Sequence, residues 1–238
     1  MKQQVSESER LFVVDGFKSN VRADGRANLD FRRSKVELGT VQEGFGSSKV
    51  TFGEEDTQIL CVIKAEVQKP LPSEPTKGQL FVHLESSQTG SSLFTREDAA
   101  DLTRTRMSQI MHTLYGNIID RSELMIFKGE FVWNLNVDVL VLDELEMHQL
   151  DHIARAIRSA FQDLCLPQVI ATLNANTNKI EMGLMEEVYA DKDNTDQLQT
   201  IASTQNMPHV ISVAVLRDEI DGDLIVLDCD SVEIQCVD

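Results

Sequence analysis

The stretch from Glu123 to Leu164 constrains the fold of this chain more than any other. It opens with an apolar run and a Lys-Gly-Glu turn, in which Gly129 can supply the positive φ that a tight turn needs. The strand that follows is apolar at every second position, at Trp133, Leu135, Val137, Val139 and Val141. Apolar residues then recur at helical spacing, at Met147, Leu150, Ile153, Ala154, Ile157, Ala160, Phe161 and Leu164. The pattern predicts a strand and a helix that pack together as the core, with Pro167 ending the helix.

Further strands and helices are predicted on both sides of this unit. A capping-box pattern at Ser6–Glu9 predicts a helix over 7–16, followed by an arm that reaches residue 33. A second helix, capped at Thr95, ends near Ile119 and should turn inward Leu102, Met107, Ile110, Met111, Leu114 and Ile118. Strands are predicted over 31–41, 49–53, 58–67, 79–85, 169–173, 179–184, 210–216 and 223–228. This order indicates one α+β domain over residues 1–238, with mixed β-sheets packed against α-helices.

The composition narrows the class of protein. Of the 238 residues, 42% are hydrophobic, which is enough for a packed core. The four cysteines show no CxxC spacing, which favours a reduced, intracellular protein with structural thiols. No apolar run approaches the roughly 20 residues of a membrane span, so no membrane association is expected. The formal charge of −17 argues against a free-standing nucleic-acid-binding protein, but not against a subunit whose basic neighbours attract RNA.

Two groups of residues have side chains that can coordinate metal ions. The acidic C-terminal region carries Asp218, Glu219, Asp221, Asp223, Asp228, Asp230 and Glu233. It lacks EF-hand spacing, however, and its Asp-Gly pair at 221–222 is typical of a hairpin turn. His148 and His152 have the four-residue spacing at which two imidazoles can bind one transition metal. Both fall on the polar face of the predicted helix, so a solvated face is the favoured interpretation and no metal site is predicted.

Arginines are concentrated at two places in the chain. Arg22, Arg26, Arg32 and Arg33 lie in the N-terminal arm, and Arg96, Arg104 and Arg106 lie at the start of the second helix. Guanidinium groups in such clusters can bind RNA phosphates. In an acidic protein they can equally pair with carboxylates of the same chain or of a partner. The sequence alone does not decide between these two roles, and the arm is expected near the surface.

Several of these segments resemble the ribonuclease PH-fold family. Arg22-Ala23-Asp24-Gly25-Arg26, followed by Arg32, is similar to the RxDGR signature that opens this fold. The stretch 46–57 is similar to the family's G-S-x-x-V-x-x-G-x-T hairpin. Thr113-Leu114-Tyr115 and the stretch 124–142 resemble one branch in particular, the non-catalytic ring subunits of the RNA exosome.

The resemblance implies a ribonuclease PH-like fold, of the class that includes the second domain of ribosomal protein S5. It also implies a hexameric ring formed with other ribonuclease PH-fold exosome subunits around a pore that threads RNA, in the nucleus, including the nucleolus, and in the cytoplasm. No cofactor is implied. Family members usually continue beyond Glu233 with a helix and strands, so the chain is expected to be short at its C-terminal end.

RNA is expected to bind this chain weakly, or only within the complex. The candidate contacts are Arg22, Arg26, Arg32, Arg33, Arg104 and Arg106. Archaeal relatives carry RNA-contacting arginines on the second helix, at positions where this chain has His112 and Gly116. Arg104 and Arg106 are the candidates to replace them.

Catalysis by this chain is not expected, because two features of active family members are changed. Active members have an arginine-bearing phosphate loop after the central strand, where this chain has Asp143-Glu144-Leu145-Glu146. They also have two spaced aspartates after the last strand. Asp228 matches the first, but Ile234 replaces the second. An isoleucine can neither bind a metal nor transfer a proton.

The favoured function is therefore a structural subunit that supports 3′-to-5′ RNA processing and degradation by the exosome. Two alternatives are weighed against it. One is an active phosphorolytic 3′–5′ exoribonuclease, which the acidic loop and Ile234 argue against. The other is an unrelated acidic protein-interaction domain, for which the matching motifs would be coincidence.

Overall fold

The structure is a computed structural model that describes residues 5–53, 56–87, 97–142, 145–167, 169–174, 179–184, 198–199, 201–217 and 222–237. Its helices are α1 (Glu7–Lys18), α2 (Glu97–Ile118), α3 (Leu150–Gln162) and α4 (Glu233–Cys236). Its strands are β1 (Ser34–Leu38), β2 (Gly46–Phe52), β3 (Thr57–Gln68), β4 (Gln79–Ser86), β5 (Met125–Phe127), β6 (Phe131–Val141), β7 (Leu166–Pro167), β8 (Val169–Asn174), β9 (Lys179–Leu184), β10 (Leu198–Gln199), β11 (Val213–Leu216) and β12 (Leu224–Leu227). Short 3₁₀ helices cover Arg121–Leu124, Met147–Gln149 and Ala202–Asn206.

A six-stranded sheet lies at the centre of the fold, in the order β1-β2-β3-β6-β4 with β5 paired to β6. β4 runs parallel to β6, and the connection between them contains α2, as a parallel pair requires. The other neighbours pair antiparallel. The alternation predicted for the central strand is confirmed, because its apolar face is buried at Trp133, Leu135, Val137, Val139 and Val141.

α3 covers this sheet, as the central stretch of the sequence predicts. Its stripe is buried at Ile153, Ala154, Ile157, Ala160 and Phe161. A Cβ on Gly46 would lie 2.5 Å from the carbonyl oxygen of Ala160, so glycine lets β2 approach the helix closely. Two details of the prediction are wrong. Met147 lies in the preceding 3₁₀ turn and is exposed, and the helix ends at Gln162 rather than at Pro167.

The end of α3 is fixed by a contact with β2. Asp163 is the C-cap residue of the helix, and its Oδ2 accepts a hydrogen bond from the backbone N–H of Ser47 at 2.9 Å. This bond ties the helix end to the sheet before the chain reaches Pro167, which lies in β7.

The face of α2 that packs against the sheet agrees in part with the predicted one, and Leu114 and Ile118 pack partly buried against the core as predicted. Met107, Met111 and Tyr115 are fully buried, whereas Leu102 and Ile110, which the sequence predicts to point inward, are exposed. Tyr115, which is absent from the predicted inward set, is buried there, and its hydroxyl donates a hydrogen bond to the carbonyl of Ala154 on α3 at 2.9 Å. That bond satisfies the polar end of a buried ring and links α2 to α3.

A second, smaller apolar cluster brings the two ends of the chain together. Val13 and Phe17 of α1 pack there with Val226, Cys229 and Cys236. The predicted N-terminal helix is confirmed, with Ser6 as its N-cap. The four cysteines are free thiols, and burial raises the pKa of Cys229 to about 11. Within the described ranges, no helix is long and apolar enough to span a membrane.

Candidate functional site

Asp228 lies at the centre of a buried ion-pair network at the end of β12. Its Oδ1 accepts hydrogen bonds from Arg32 Nη2 at 2.6 Å and from His152 Nε2 at 3.1 Å. Its Oδ2 accepts the backbone N–H of Arg32 at 2.6 Å and lies 3.5 Å from Arg26 Nη1. Both carboxylate oxygens of Asp228 therefore have partners within the protein.

The protonation states of this network follow from its geometry. Burial raises the pKa of Asp228, but hydrogen bonds from His152 and Arg32 outweigh burial and hold that pKa well below its usual range. Burial lowers the pKa of His152 by more than the Asp228 carboxylate raises it, so the ring is neutral at pH 7. Because an ionised carboxylate can only accept, the single imidazole proton lies on Nε2 and Nδ1 carries a lone pair.

The environment of His152 corrects the interpretation of the histidine pair. Its ring is buried and stacks on Phe52 with the ring centroids 3.8 Å apart, so it does not lie on a solvated helix face. His148 precedes α3, in the 3₁₀ turn, with its Nδ1 3.0 Å from a carboxylate oxygen of Glu146. The helical spacing misled the prediction because α3 begins only at Leu150 and because Asp228, distant in sequence, draws His152 inward.

Arg22 is an internal residue and not a surface arginine. Its Nε donates to Glu233 Oε1 at 2.7 Å, and its Nη2 also contacts the Glu233 carboxylate. Further donations reach the carbonyl oxygens of Leu227 and Asp228, each at 2.9 Å. Burial lowers the pKa of Arg22, but Glu233 more than offsets this and the pKa is raised. The RNA contact expected for Arg22 does not fit this placement, because the guanidinium is enclosed and neutralised by the protein.

Arg26 and Arg32 belong to the same network. Arg26 Nε donates to Asp24 at 2.5 Å, and Nη1 donates to the carbonyl oxygens of Asp30 and Asp228. The Arg32 guanidinium, bound to Asp228, lies 5.2 Å from the centre of the Phe52 ring. Both side chains are mostly buried, so the arm pairs its arginines with carboxylates of its own chain.

The remaining candidate residues lie elsewhere. The Arg33 side chain is exposed just before β1, and Arg104 and Arg106 are exposed on α2. Ile234 lies on α4 and is 40% exposed. Arg96, Asp143, Glu144 and the acidic residues 218–221 fall outside the described residues.

No metal site is evident in the part of the chain that the structure describes, since no three His, Cys, Asp or Glu side chains are grouped to hold an ion. Asp228 and Glu233, which the acidic C-terminal pattern offers as ligands, pair instead with arginines. Sequence reasoning missed the role of His152 in this network.

Comparison with known proteins identifies the fold and its relatives. The chain is 32% identical to "Exosome complex component RRP45" of Danio rerio over 69% of this chain and 41% of that protein. It is 32% identical to "Exosome complex component Rrp42" of Methanocella arvoryzae over 58% of this chain and 53% of the relative. The chain thus spans about half the length of these curated relatives.

Solved structures of the same fold cover nearly the whole chain. The "Archaeal exosome core" aligns with a TM-score of 0.60 at 22% identity, over 96% of this chain and 76% of that one. The Archaeoglobus fulgidus exosome with RNA bound to the active site aligns with a TM-score of 0.61 at 23% identity, over 96% and 78%. Residues 30–175 match the sequence profile "3′ exoribonuclease family, domain 1", which excludes an unrelated interaction domain. The chain therefore belongs to the 3′ exoribonuclease family with the ribonuclease PH fold.

Proposed function

We propose that this chain is a non-catalytic structural subunit of an exosome core ring, of the kind that relatives named Rrp42 and RRP45 represent. In this role it would assemble with other ribonuclease PH-fold subunits in a hexameric ring and support 3′-to-5′ RNA processing and degradation by the complex. The names of the relatives and the shared fold support this proposal.

The burial and hydrogen bonding of the Asp228 carboxylate are the observation that supports a non-catalytic role for this chain. The carboxylate is buried and bound through both oxygens, so it has no lone pair directed at solvent to hold a metal or accept a substrate proton. The neighbouring family position is Ile234, which has no ionisable group. Catalysis would require Asp228 to break its hydrogen bonds with Arg32 and His152. Those two buried side chains would then have no partner, which is energetically unfavourable.

An exposed apolar groove on α2 supports a role in assembly. Ile110, Leu114, Ile118 and Met147 form its apolar part, and Arg106 borders it. An apolar groove with a charged rim is a typical protein-interaction surface.

The RNA path is proposed to follow the exposed arginines Arg104 and Arg106 of α2, with Arg33 as a further contact. Arg26 and Arg32 are retained only as secondary candidates, because their guanidinium groups are engaged by carboxylates. By analogy with eukaryotic exosome components, we propose nuclear and cytoplasmic localisation of the assembled complex.

The activity is tested by incubating the purified chain with 3′-labelled and internally labelled single-stranded RNA, with and without inorganic phosphate. No shortening is expected in either buffer. Ile234→Asp restores the missing carboxylate and should remain inactive, because Asp228 stays bound to Arg32 and His152. Phosphate-dependent release of nucleoside diphosphates by the wild-type chain, abolished in Asp228→Asn, would contradict the proposal.

Ring membership is tested separately by affinity purification from the source cells and mass analysis of the chains that co-purify. Stoichiometric recovery of other ribonuclease PH-fold chains is the expected result. Recovery of the chain as a stable monomer or as a homo-oligomer would argue against a mixed ring.

A further inference from the structure

β1 is an edge strand of the central sheet, and one side of its backbone faces away from the sheet. It pairs with β2 on one side, and no second neighbouring strand lies among the described residues. Just after β1, the Gly39 N–H donates to the Ser47 carbonyl at 3.0 Å. Because the bonds of an antiparallel ladder fall on every second residue, the odd-numbered positions of β1 face β2. Ser34, Val36 and Leu38 therefore direct their N–H and C=O groups away from it.

The open edge of β1 also carries apolar side chains that α3 does not cover. Val36 is 40% exposed and Leu38 is 51% exposed. The residues directly opposite them on β2, Val50 and Ser48, are buried on the face of the sheet that α3 covers. Natural proteins usually block such an edge with a proline or a bulge, and β1 has neither. The edge therefore has what a further strand requires, which is unpaired backbone groups beside exposed apolar side chains.

The other face of β1 carries one positive and one negative side chain. Lys35 and Glu37 both lie on it, with Lys35 Nζ 2.6 Å from Glu37 Oε1, and the Lys35 side chain is 74% exposed. Val36 lies midway between them. A two-fold rotation about an axis through position 36 exchanges positions 35 and 37, so this short pattern of charges is complementary to a rotated copy of itself.

We propose that β1 pairs with β1 of a second copy of this chain, antiparallel and centred on Val36, so that two central sheets become one continuous sheet. This register places Val36 opposite Val36 of the second copy, and Ser34 opposite Leu38. These are the residues with outward backbone groups, so each outward N–H meets a carbonyl oxygen. On the other face, Lys35 of each copy lies opposite Glu37 of the other copy, which stabilises the strand pair.

The charges of β1 also select this register over its neighbours. A register displaced by two residues in one direction places Lys35 opposite Lys35 of the second copy. The same displacement in the other direction places Glu37 opposite Glu37. Like charges directly opposite one another destabilise a strand pair. Of these three registers, the one centred on Val36 satisfies both the backbone and the charges, and this self-complementarity identifies a second copy as the occupant of the edge.

The dimer is expected to be weak. Five residues of each chain form a small interface, and two chains with a net charge of −17 repel one another. Salt at about 150 mM screens this repulsion beyond about 8 Å and leaves the backbone bonds in place. We therefore expect a dissociation constant of about 10–100 µM. Such a dimer dissociates at the dilution of an affinity purification, so the inference is independent of ring assembly, and its failure would leave the proposed function unaffected.

Sedimentation equilibrium of the purified chain, from about 1 µM to about 1 mM, tests self-association. Lys35→Glu and Glu37→Lys each place like charges opposite one another and should weaken the dimer by about tenfold or more. Lys64→Glu is the matched control, because Lys64 is an exposed lysine that also pairs with a carboxylate but lies on β3, away from the edge. It should dimerise like the wild type. A wild-type chain that stays monomeric throughout, or equal dimerisation of Lys35→Glu and the control, would overturn the proposal.

A mixture of the two charge variants tests which residues face one another. In the register centred on Val36, the carboxylates of the Lys35→Glu chain face the lysines of the Glu37→Lys chain. The equimolar mixture should therefore form a heterodimer about tenfold or more tighter than the dimer of either variant alone. A chain that carries both substitutions should dimerise like the wild type for the same reason. If neither recovery is observed, Lys35 does not face Glu37 of a second copy and the proposed pairing is wrong.

Amide hydrogen exchange locates the contact at individual residues. The N–H groups of Lys35 and Glu37 bond to β2 in the monomer as well as in the dimer, whereas those of Ser34, Val36 and Leu38 become bonded only in the dimer. A higher protein concentration should therefore slow exchange at the three even-numbered positions and leave positions 35 and 37 unchanged. Self-association that slows exchange at another surface, with no change at these three positions, would assign the dimer to a different contact and overturn the proposal.

Discussion

Asp228 connects three separate parts of the chain. Its carboxylate binds Arg26 and Arg32 of the N-terminal arm and His152 of α3. Its own backbone, directly after β12, turns with a φ of 47°. Asp228 is therefore a structural anchor of the fold. Removing its charge leaves two or more buried cationic or polar groups without a partner, which lowers the free energy of unfolding.

The pH dependence of stability tests this role. The folded-state pKa of Asp228 is lowered, so its ionised form stabilises the fold above the unfolded-state pKa of about 3.9. That contribution decreases as the pH falls below this value. We expect Asp228→Asn to destabilise the chain by about 3–5 kcal/mol at pH 7. Between about pH 5 and pH 3 the variant should also lose less stability than the wild type. Urea unfolding across this pH range gives both quantities, and parallel pH profiles would show that another group governs acid stability.

Trp133 provides a prediction about the core. Its ring is 3% exposed on β6 and lies 6.3 Å from the ring of Phe45. Trp133→Ala should lower the free energy of unfolding by about 3–5 kcal/mol, since it removes a large buried ring and leaves a cavity. Phe81→Ala, at a β4 position that is 39% exposed, is the matched control and should cost far less. Similar losses in the two variants, measured by denaturant unfolding, would mean that Trp133 is not a core residue in solution.

Helix α2 shows which features of an element its own sequence can predict. The existence of the helix and its end near Ile118 are confirmed, because apolar residues recur at helical spacing. Its inward face is predicted only in part, because Met107 and Met111 are buried whereas Leu102 and Ile110 are exposed. The bond of the buried Tyr115 to Ala154 is a contact across 39 residues that no local pattern contains. The central strand and α3 were easier to predict because each has a single apolar face.

The outward face of α2 is predicted to be a docking surface. Ile110 is 43% exposed in the apolar groove with Leu114 and Ile118. Ile110→Glu should leave the melting temperature of the lone chain nearly unchanged and weaken the capture of ribonuclease PH-fold partners, since the carboxylate would be desolvated only in the complex. Phe12→Glu, an equally drastic change on the exposed face of α1, is the control and should retain capture. If Ile110→Glu unfolds the lone chain, the groove is part of its core.

At the scale of the whole molecule, the two ends of the chain are joined by contacts that the sequence does not reveal. Arg22 and Glu233 are 211 residues apart, and Arg32 and Asp228 are 196 apart. The motifs that contain these residues were recognised, but their pairing depends on how α1, β12 and α4 pack. This explains why the α+β class and most strands were predicted correctly, whereas the arginine cluster of the arm was assigned equally to RNA and to internal carboxylates.

The charge distribution that results from this pairing predicts how strongly the chain binds RNA. Arg22, Arg26 and Arg32 are enclosed by the protein, and the exposed Arg104 and Arg106 are proposed as the principal RNA contacts, on a chain with a net charge of −17. The lone chain should therefore bind single-stranded RNA weakly, and binding should weaken further between about 50 and 200 mM salt as counterion release becomes less favourable. Fluorescence anisotropy with labelled RNA measures this dependence.

Within an assembled ring, Arg104→Glu combined with Arg106→Glu should reduce RNA affinity, whereas Arg217→Glu, at an exposed position outside α2, should not. Tight, salt-insensitive binding by the lone chain would contradict the prediction of weak binding, because an acidic surface repels the phosphate backbone and the expected contacts are electrostatic.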